Sequence, residues 1–170
     1  MSSPIIAEAV FSRDTVTFLR LLAAKRVRYL IVGGEAVIYH GYPRLTGDID
    51  FFYDHSLVNS RRLFQALLEF WDGRIPGVTS SEELREKAII LQFGRPPNRI
   101  DLMNRIDGVA FSRAWASRVR VRLKTASGFV PVHYIGLRPL LANKRATGRP
   151  KDLDDALCLR PKLRRPRRRK

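Results

Sequence analysis

Cysteine is almost missing from this 170-residue chain: Cys158 stands alone, so neither an internal disulfide framework nor a cysteine zinc cluster can form. Its apolar neighbours make it a small core residue. Histidine is sparse too, and His40, His55 and His133 lack a metal-binding spacing. No apolar run reaches the roughly 20 residues that span a bilayer. Residues 4–10 are weakly apolar, but they carry Glu8 and lack the basic start of a secretory signal. The expectation from these absences is a reduced, cytoplasmic protein with no membrane partner. Acidic side chains are also few, 16 against 32 Lys and Arg, which leaves a net charge of +16. An excess this large points to a polyanionic partner, nucleic acid in preference to a membrane surface or mere solubility.

What is present is 45% apolar, enough for one core in one domain. Asp14 can cap a helix to Arg26 whose stripe is Val16, Phe18, Leu19, Leu22 and Ala23. A strand at 29–32 ends in Gly33-Gly34, and a short helix to Tyr39 is stopped by Gly41 and Pro43. A second strand is expected at 48–53, then a helix started by Ser56 or Asn59 and carrying Leu63, Phe64, Leu67, Leu68 and Trp71 at helical spacing. A short polar helix begins near Ser80 or Ser81, and strands at 88–93 and 99–103 flank a Gly-Arg-Pro-Pro-Asn turn. Residues 111–117 suit one or two helical turns. The alternation of Val and Arg over 119–123 and the run 129–134 predict a hairpin, read as an edge ribbon with its arginines either solvated or binding. Helices at 137–146 and 151–159 follow, and the Arg-rich residues 160–170 read as a disordered tail.

The chemistry concentrates near the second strand. Strand periodicity places Asp48 and Asp50 on one face, where two carboxylates repel unless a cation offsets them. Mg²⁺ is the expected ion, with Mn²⁺ as its substitute. Asp101 alternates with apolar residues on a later strand and is the choice for a third acid. Gly33 and Gly34 permit a phosphate to approach the main chain.

Taken together, the run from Gly33-Gly34 through Arg44-Leu45-Thr46-Gly47-Asp48-Ile49-Asp50 resembles the nucleotidyltransferase superfamily. Within it the chain is similar to a small bacterial branch that contains the AbiEii-type and MenT-type toxins. The likeness resumes at Lys144, Arg149, Lys151-Asp152 and Asp155, while residues 54–99 add little beyond element order. Glu35, directly after the glycines, departs from the pattern and would crowd a triphosphate.

The resemblance implies an α/β fold of polymerase-β type, a mixed twisted sheet flanked by helices, over residues 1–159 with a helical appendage at 137–159. It implies Asp48, Asp50 and Asp101 as catalytic metal ligands and Gly33, Gly34, Arg44, Thr46, Lys144 and Arg149 as nucleotide-binding residues. Asp152 and Asp155 are expected to cap the last helix and to pair with Arg or Lys. The activity implied is Mg²⁺-dependent transfer of a nucleotide from an NTP to an RNA hydroxyl, a tRNA end above all, in a toxin with a cognate antitoxin. Two other readings stay open: the same chemistry on a protein or small antibiotic, and a non-catalytic RNA-binding module.

Overall fold

Ser12 rather than Asp14 starts the first helix of the computed structural model, which describes residues 3–164; its hydroxyl accepts from Thr15 N at 3.2 Å. Helix α1 (Arg13–Ala24) buries Val16, Phe18, Leu19 and Leu22, the predicted stripe. The chain then alternates strand and helix: β2 (Tyr29–Ile31), α2 (Gly33–Tyr39), β3 (Asp48–Tyr53) and α3 (Leu57–Phe70). Asn59 does not cap α3. It is buried in that helix, where its side chain bonds the main chain of Arg28 on both sides, N to Oδ1 at 2.7 Å and Nδ2 to O at 3.0 Å.

The second half supplies β4 (Ile90–Phe93), β5 (Arg99–Met103), the short α4 (Phe111–Ala116), β6 (Val119–Thr125), β7 (Gly128–Tyr134), α5 (Leu137–Thr147) and α6 (Pro150–Leu159). The polar helix expected near Ser80 is a single 3-10 turn at Glu83–Arg85. These strands, with a short N-terminal β1 (Ile5–Ala7), form one seven-stranded mixed sheet in the order β1-β6-β7-β2-β3-β5-β4, flanked by helices. The expected α/β class with a mixed, helix-flanked sheet is therefore what the chain forms.

The structure corrects three further sequence expectations. The β6–β7 hairpin is not an edge ribbon: β7 pairs with β2 and β1 lies parallel along β6, with Ile5 opposite Arg122. Three residues with no period of their own could not announce that strand. The basic segment also begins ordered, as a 3-10 helix at Arg160–Arg164 from which Lys162 Nζ donates to Gly41 O at 2.8 Å. The rest of that predicted tail, 165–170, lies outside the described residues. Cys158 is half-buried rather than a core residue.

Two features of the sheet position the site. The β3 and β5 strands are parallel neighbours, with Asp48 opposite Arg99 and Asp50 opposite Asp101. Between the halves of the sheet, β2 and β7 share one register pair, Ile31 with Tyr134, prolonged by Ile135 N donating to Ile31 O at 3.0 Å. The core packs against this seam: Leu30, Ile31, Phe51, Val132 and Tyr134 are essentially inaccessible. No described helix is long and apolar enough to cross a membrane.

Candidate metal centre and its cleft

Asp48 and Asp50 project from one face of β3 while Ile49 and Phe51 between and beyond them are buried on the other, as the period of a strand requires. Asp101 joins them because its strand runs parallel in register. One carboxylate oxygen from each of the three lies within 4.8 Å of the others. Three hard oxygen donors this close could hold a metal ion, whose charge would offset their mutual repulsion.

Asp50 records the strain of that arrangement. Burial first, then the neighbouring charges of Asp48 and Asp101, push its carboxyl up to about 6. Its oxygen Oδ2 rests against Gly33, where an added Cβ would lie 1.8 Å away, and Gly33 holds φ at +61°. Both conditions demand glycine. At Gly34 the space is taken by Thr46 Oγ1 and an Arg44 guanidinium nitrogen, 2.7 and 2.9 Å from such a Cβ. The glycine pair thus lets β3 and the loop before it close down on the start of α2.

Arg99 is the functional side chain that sequence reasoning overlooked. Its Nη2 donates to Asp48 Oδ2 at 2.6 Å and to Asp101 Oδ2 at 2.9 Å, and its Nε to Asp101 Oδ1 at 2.7 Å. A guanidinium therefore bridges two of the three acids, in the manner of a stand-in cation, and those acids hold its own pKa above the ordinary value. Gln92 on β4 adds a bond from Nε2 to Asp101 Oδ2 at 3.0 Å. A signal existed: Arg99 precedes Asp101 by two residues on one strand and so shares its face.

The acids open into a cleft of about 650 Å³. Gly33, Gly34, Arg44, Lys144 and Arg149 all line it, beside Asp48, Asp50 and Asp101. Thr46 does not line this cleft. Its hydroxyl donates to Asp48 O and Oδ1 at 3.1 and 3.2 Å, so it fixes an acid in place.

The cationic wall is itself held by carboxylates. Lys144, 3% exposed, puts its ammonium 2.7 Å from Asp152 Oδ1 and 2.9 Å from Asp155 Oδ2. Arg149 Nε reaches Asp152 Oδ2 at 2.5 Å and Arg44 Nε reaches Asp155 Oδ1 at 3.2 Å. Burial alone would raise the Asp152 carboxyl, but its bonds to Arg149 and Lys144 outweigh that and hold it below the usual carboxylate range. Asp152 and Asp155 thus pair with Lys and Arg as expected, and α6 has no side-chain cap. The paired ammonium of Lys144 acts on the cleft through its field.

Glu35 does not crowd the cleft. It is 8% exposed and turned to Tyr134, whose hydroxyl donates to Oε1 at 3.3 Å, and burial pushes its carboxyl up to about 7. Against this geometry, comparison of the chain with protein-family models finds no match, and comparison with curated proteins finds none either.

Proposed function

We propose that this chain is a Mg²⁺-dependent nucleotidyltransferase that moves a nucleotide from an NTP to a hydroxyl of RNA, most simply a tRNA end. One observation carries the reading: three carboxylates from two parallel strands converge over a glycine turn, inside a cleft whose lining also includes Arg44, Arg99, Arg105, Lys144, Arg149 and Lys151. The resemblance of the Gly33–Asp50 run to nucleotidyltransferases supports it, and so does the net charge of +16. On the same resemblance, the enzyme would serve as the toxin of a pair and meet a cognate antitoxin.

The residues fit a divalent ion. Asp48, Asp50 and Asp101 would hold it, Mg²⁺ or Mn²⁺, and when bound it would neutralise phosphate charge and polarise the reacting oxygens. The chain's own groups do the remainder. Gly33 and Gly34 admit phosphate to the main chain, and exposed Arg149 and Lys151 at the rim meet its charge. In this reading Asp101 would accept the proton of the acceptor hydroxyl. The acceptor oxygen bonds to the α-phosphorus, the bond from that phosphorus to the leaving pyrophosphate breaks, and the proton passes to the carboxylate.

The test is to incubate the purified protein with each NTP radiolabelled at the α-phosphate, Mg²⁺ and total tRNA, beside the Asp48→Ala/Asp50→Ala protein. Label on tRNA from one nucleotide, lost in the double variant, is the expected result. Label on protein instead would replace the acceptor, and no transfer to anything would sink the reading.

A further inference from the structure

A second cavity, of about 710 Å³, adjoins the carboxylate cleft, and Ala88 and Arg105 line both. Its size is that of a small-molecule site, about 300–1,000 Å³. The two are joined by the strands that carry the acids. On β3, the face that shows Asp48 and Asp50 to the cleft continues to Phe52 in the second cavity. On β5, the face of Arg99, Asp101 and Met103 leads to Arg105 at the shared rim.

The lining chemistry is that of a polynucleotide seat. Arg28 is paired with Asp54, Nη1 to Oδ2 at 3.0 Å. Arg85, Lys87 and Arg105 are exposed and make no ion pair among the described residues, so three cations face this space unneutralised. Beside them is the half-buried ring of Phe111, packed edge to face on the buried Phe52 with centroids 5.1 Å apart. Unpaired cations beside an aromatic ring match a sugar-phosphate chain whose bases are free of a duplex.

We propose that this second cavity seats the single-stranded end of the RNA acceptor, with its backbone on Arg85, Lys87 and Arg105 and a base against the exposed part of Phe111. Its terminal hydroxyl then passes over the rim at Ala88 to the carboxylates. The proposal rests on the nucleotidyl-transfer reading for its purpose, but the binding it asserts is measurable without any nucleotide.

The test is equilibrium anisotropy of a short 5′-fluorescein single-stranded RNA with the full chain, over a range of salt, in the absence of NTP. The double variant Arg85→Glu/Lys87→Glu is compared with Arg13→Glu/Arg74→Glu, an equal change of charge at exposed positions that line neither cavity. The first is expected to bind about tenfold or more weakly and with a shallower salt dependence, its slope smaller by about 0.7 for each phosphate no longer neutralised. The second should stay close to the parent. A strand whose last two riboses lack bases should also bind about tenfold less tightly to the parent protein. Equal losses in the two variants, or no binding by the parent, would overturn the seat. Failure of label transfer to every acceptor, with the binding difference intact, would overturn the enzyme reading and leave the seat standing.

Discussion

The carboxylate of Asp50 lies directly on the main chain of Gly33: a Cβ at that glycine would fall 1.8 Å from Oδ2. The first helix turn after β2 and the middle acid of the centre are therefore one packing unit. Gly33→Ala must displace Asp50 or abandon φ +61°. The expected outcome is a folded protein destabilised by about 1–3 kcal/mol, whose melting temperature no longer rises with Mg²⁺ and whose transfer activity falls at least a hundredfold. Thermal melts with and without Mg²⁺ check this, and an unchanged Mg²⁺ response would refute the coupling.

Arg99 offers a second prediction, because it bridges Asp48 and Asp101 at 2.6 to 2.9 Å. Arg99→Gln leaves three clustered acids without their guanidinium. The variant should be less stable than the parent in chelator and should recover in Mg²⁺, reaching half its recovery at a lower Mg²⁺ concentration than the parent needs. Isothermal titration with Mg²⁺ reads the same change directly; weaker Mg²⁺ binding in the variant would mean that Arg99 supports the ion instead of competing with it.

The buried cluster around Lys144 makes a third. Removing one partner from a buried charge network leaves the others uncompensated, at a typical cost of about 3–5 kcal/mol. Lys144→Met exposes that cost, since Asp152 and Asp155 are 0% and 1% exposed. Adding Asp155→Asn to Lys144→Met should restore part of the loss. Urea denaturation measures both, and a double variant no more stable than the single one would count against a charge origin.

Stability against pH supplies the fourth. Burial raises Glu35 from 4.5 to about 7. Its neutral form therefore contributes stability that is full below pH 4.5 and is lost as pH rises through about 7. His133 runs the other way: burial, then Arg118 and Arg120, lower it from 6.5 to about 4, so its contribution is full above pH 6.5 and is lost as pH falls through about 4. Each is worth on the order of 2 kcal/mol after screening, and over most of the window they oppose each other. Relative to the parent, Glu35→Gln should gain stability as pH rises from 4.5 to 7, and His133→Gln should gain it as pH falls from 6.5 to 4. Asp50, which titrates near 6, is common to all three proteins and cancels in the difference. Chemical denaturation at stepped pH tests the opposed slopes, and parallel profiles would contradict them.

The central part of this architecture is legible in the sequence because it is local and periodic. The β3 run of Asp, Ile, Asp, Phe, Phe and Tyr states its own two faces, and a glycine pair after an apolar strand states its own turn. The stripe of α1 is equally plain, although its cap is not, since Ser12 and Asp14 are both capable and only geometry chooses. The lone β1 is not legible: Ile5–Ala7 is a strand only because β6 offers it an edge more than a hundred residues later. That Asp152 and Asp155 pair with basic residues is legible, but the choice of Lys144 as their shared partner is not, because it lies on a different helix. The Arg99 bridge is within reach of strand periodicity, but a basic residue near an acid reads first as an ordinary surface charge.

The narrow seam between β2 and β7 has a consequence for how the protein is made. A ribosome delivers β3 and β5, with all three acids, before it delivers any residue of β6, β7 or α5. The anionic half of the cleft is therefore translated first, with Arg99 already in register beside Asp101. The wall of Lys144 and Arg149 arrives last, once Ile31 has found Tyr134 across the chain. Arg99 is thus made together with the acids that it bridges, while Lys144 and Arg149 follow only with α5 and the start of α6.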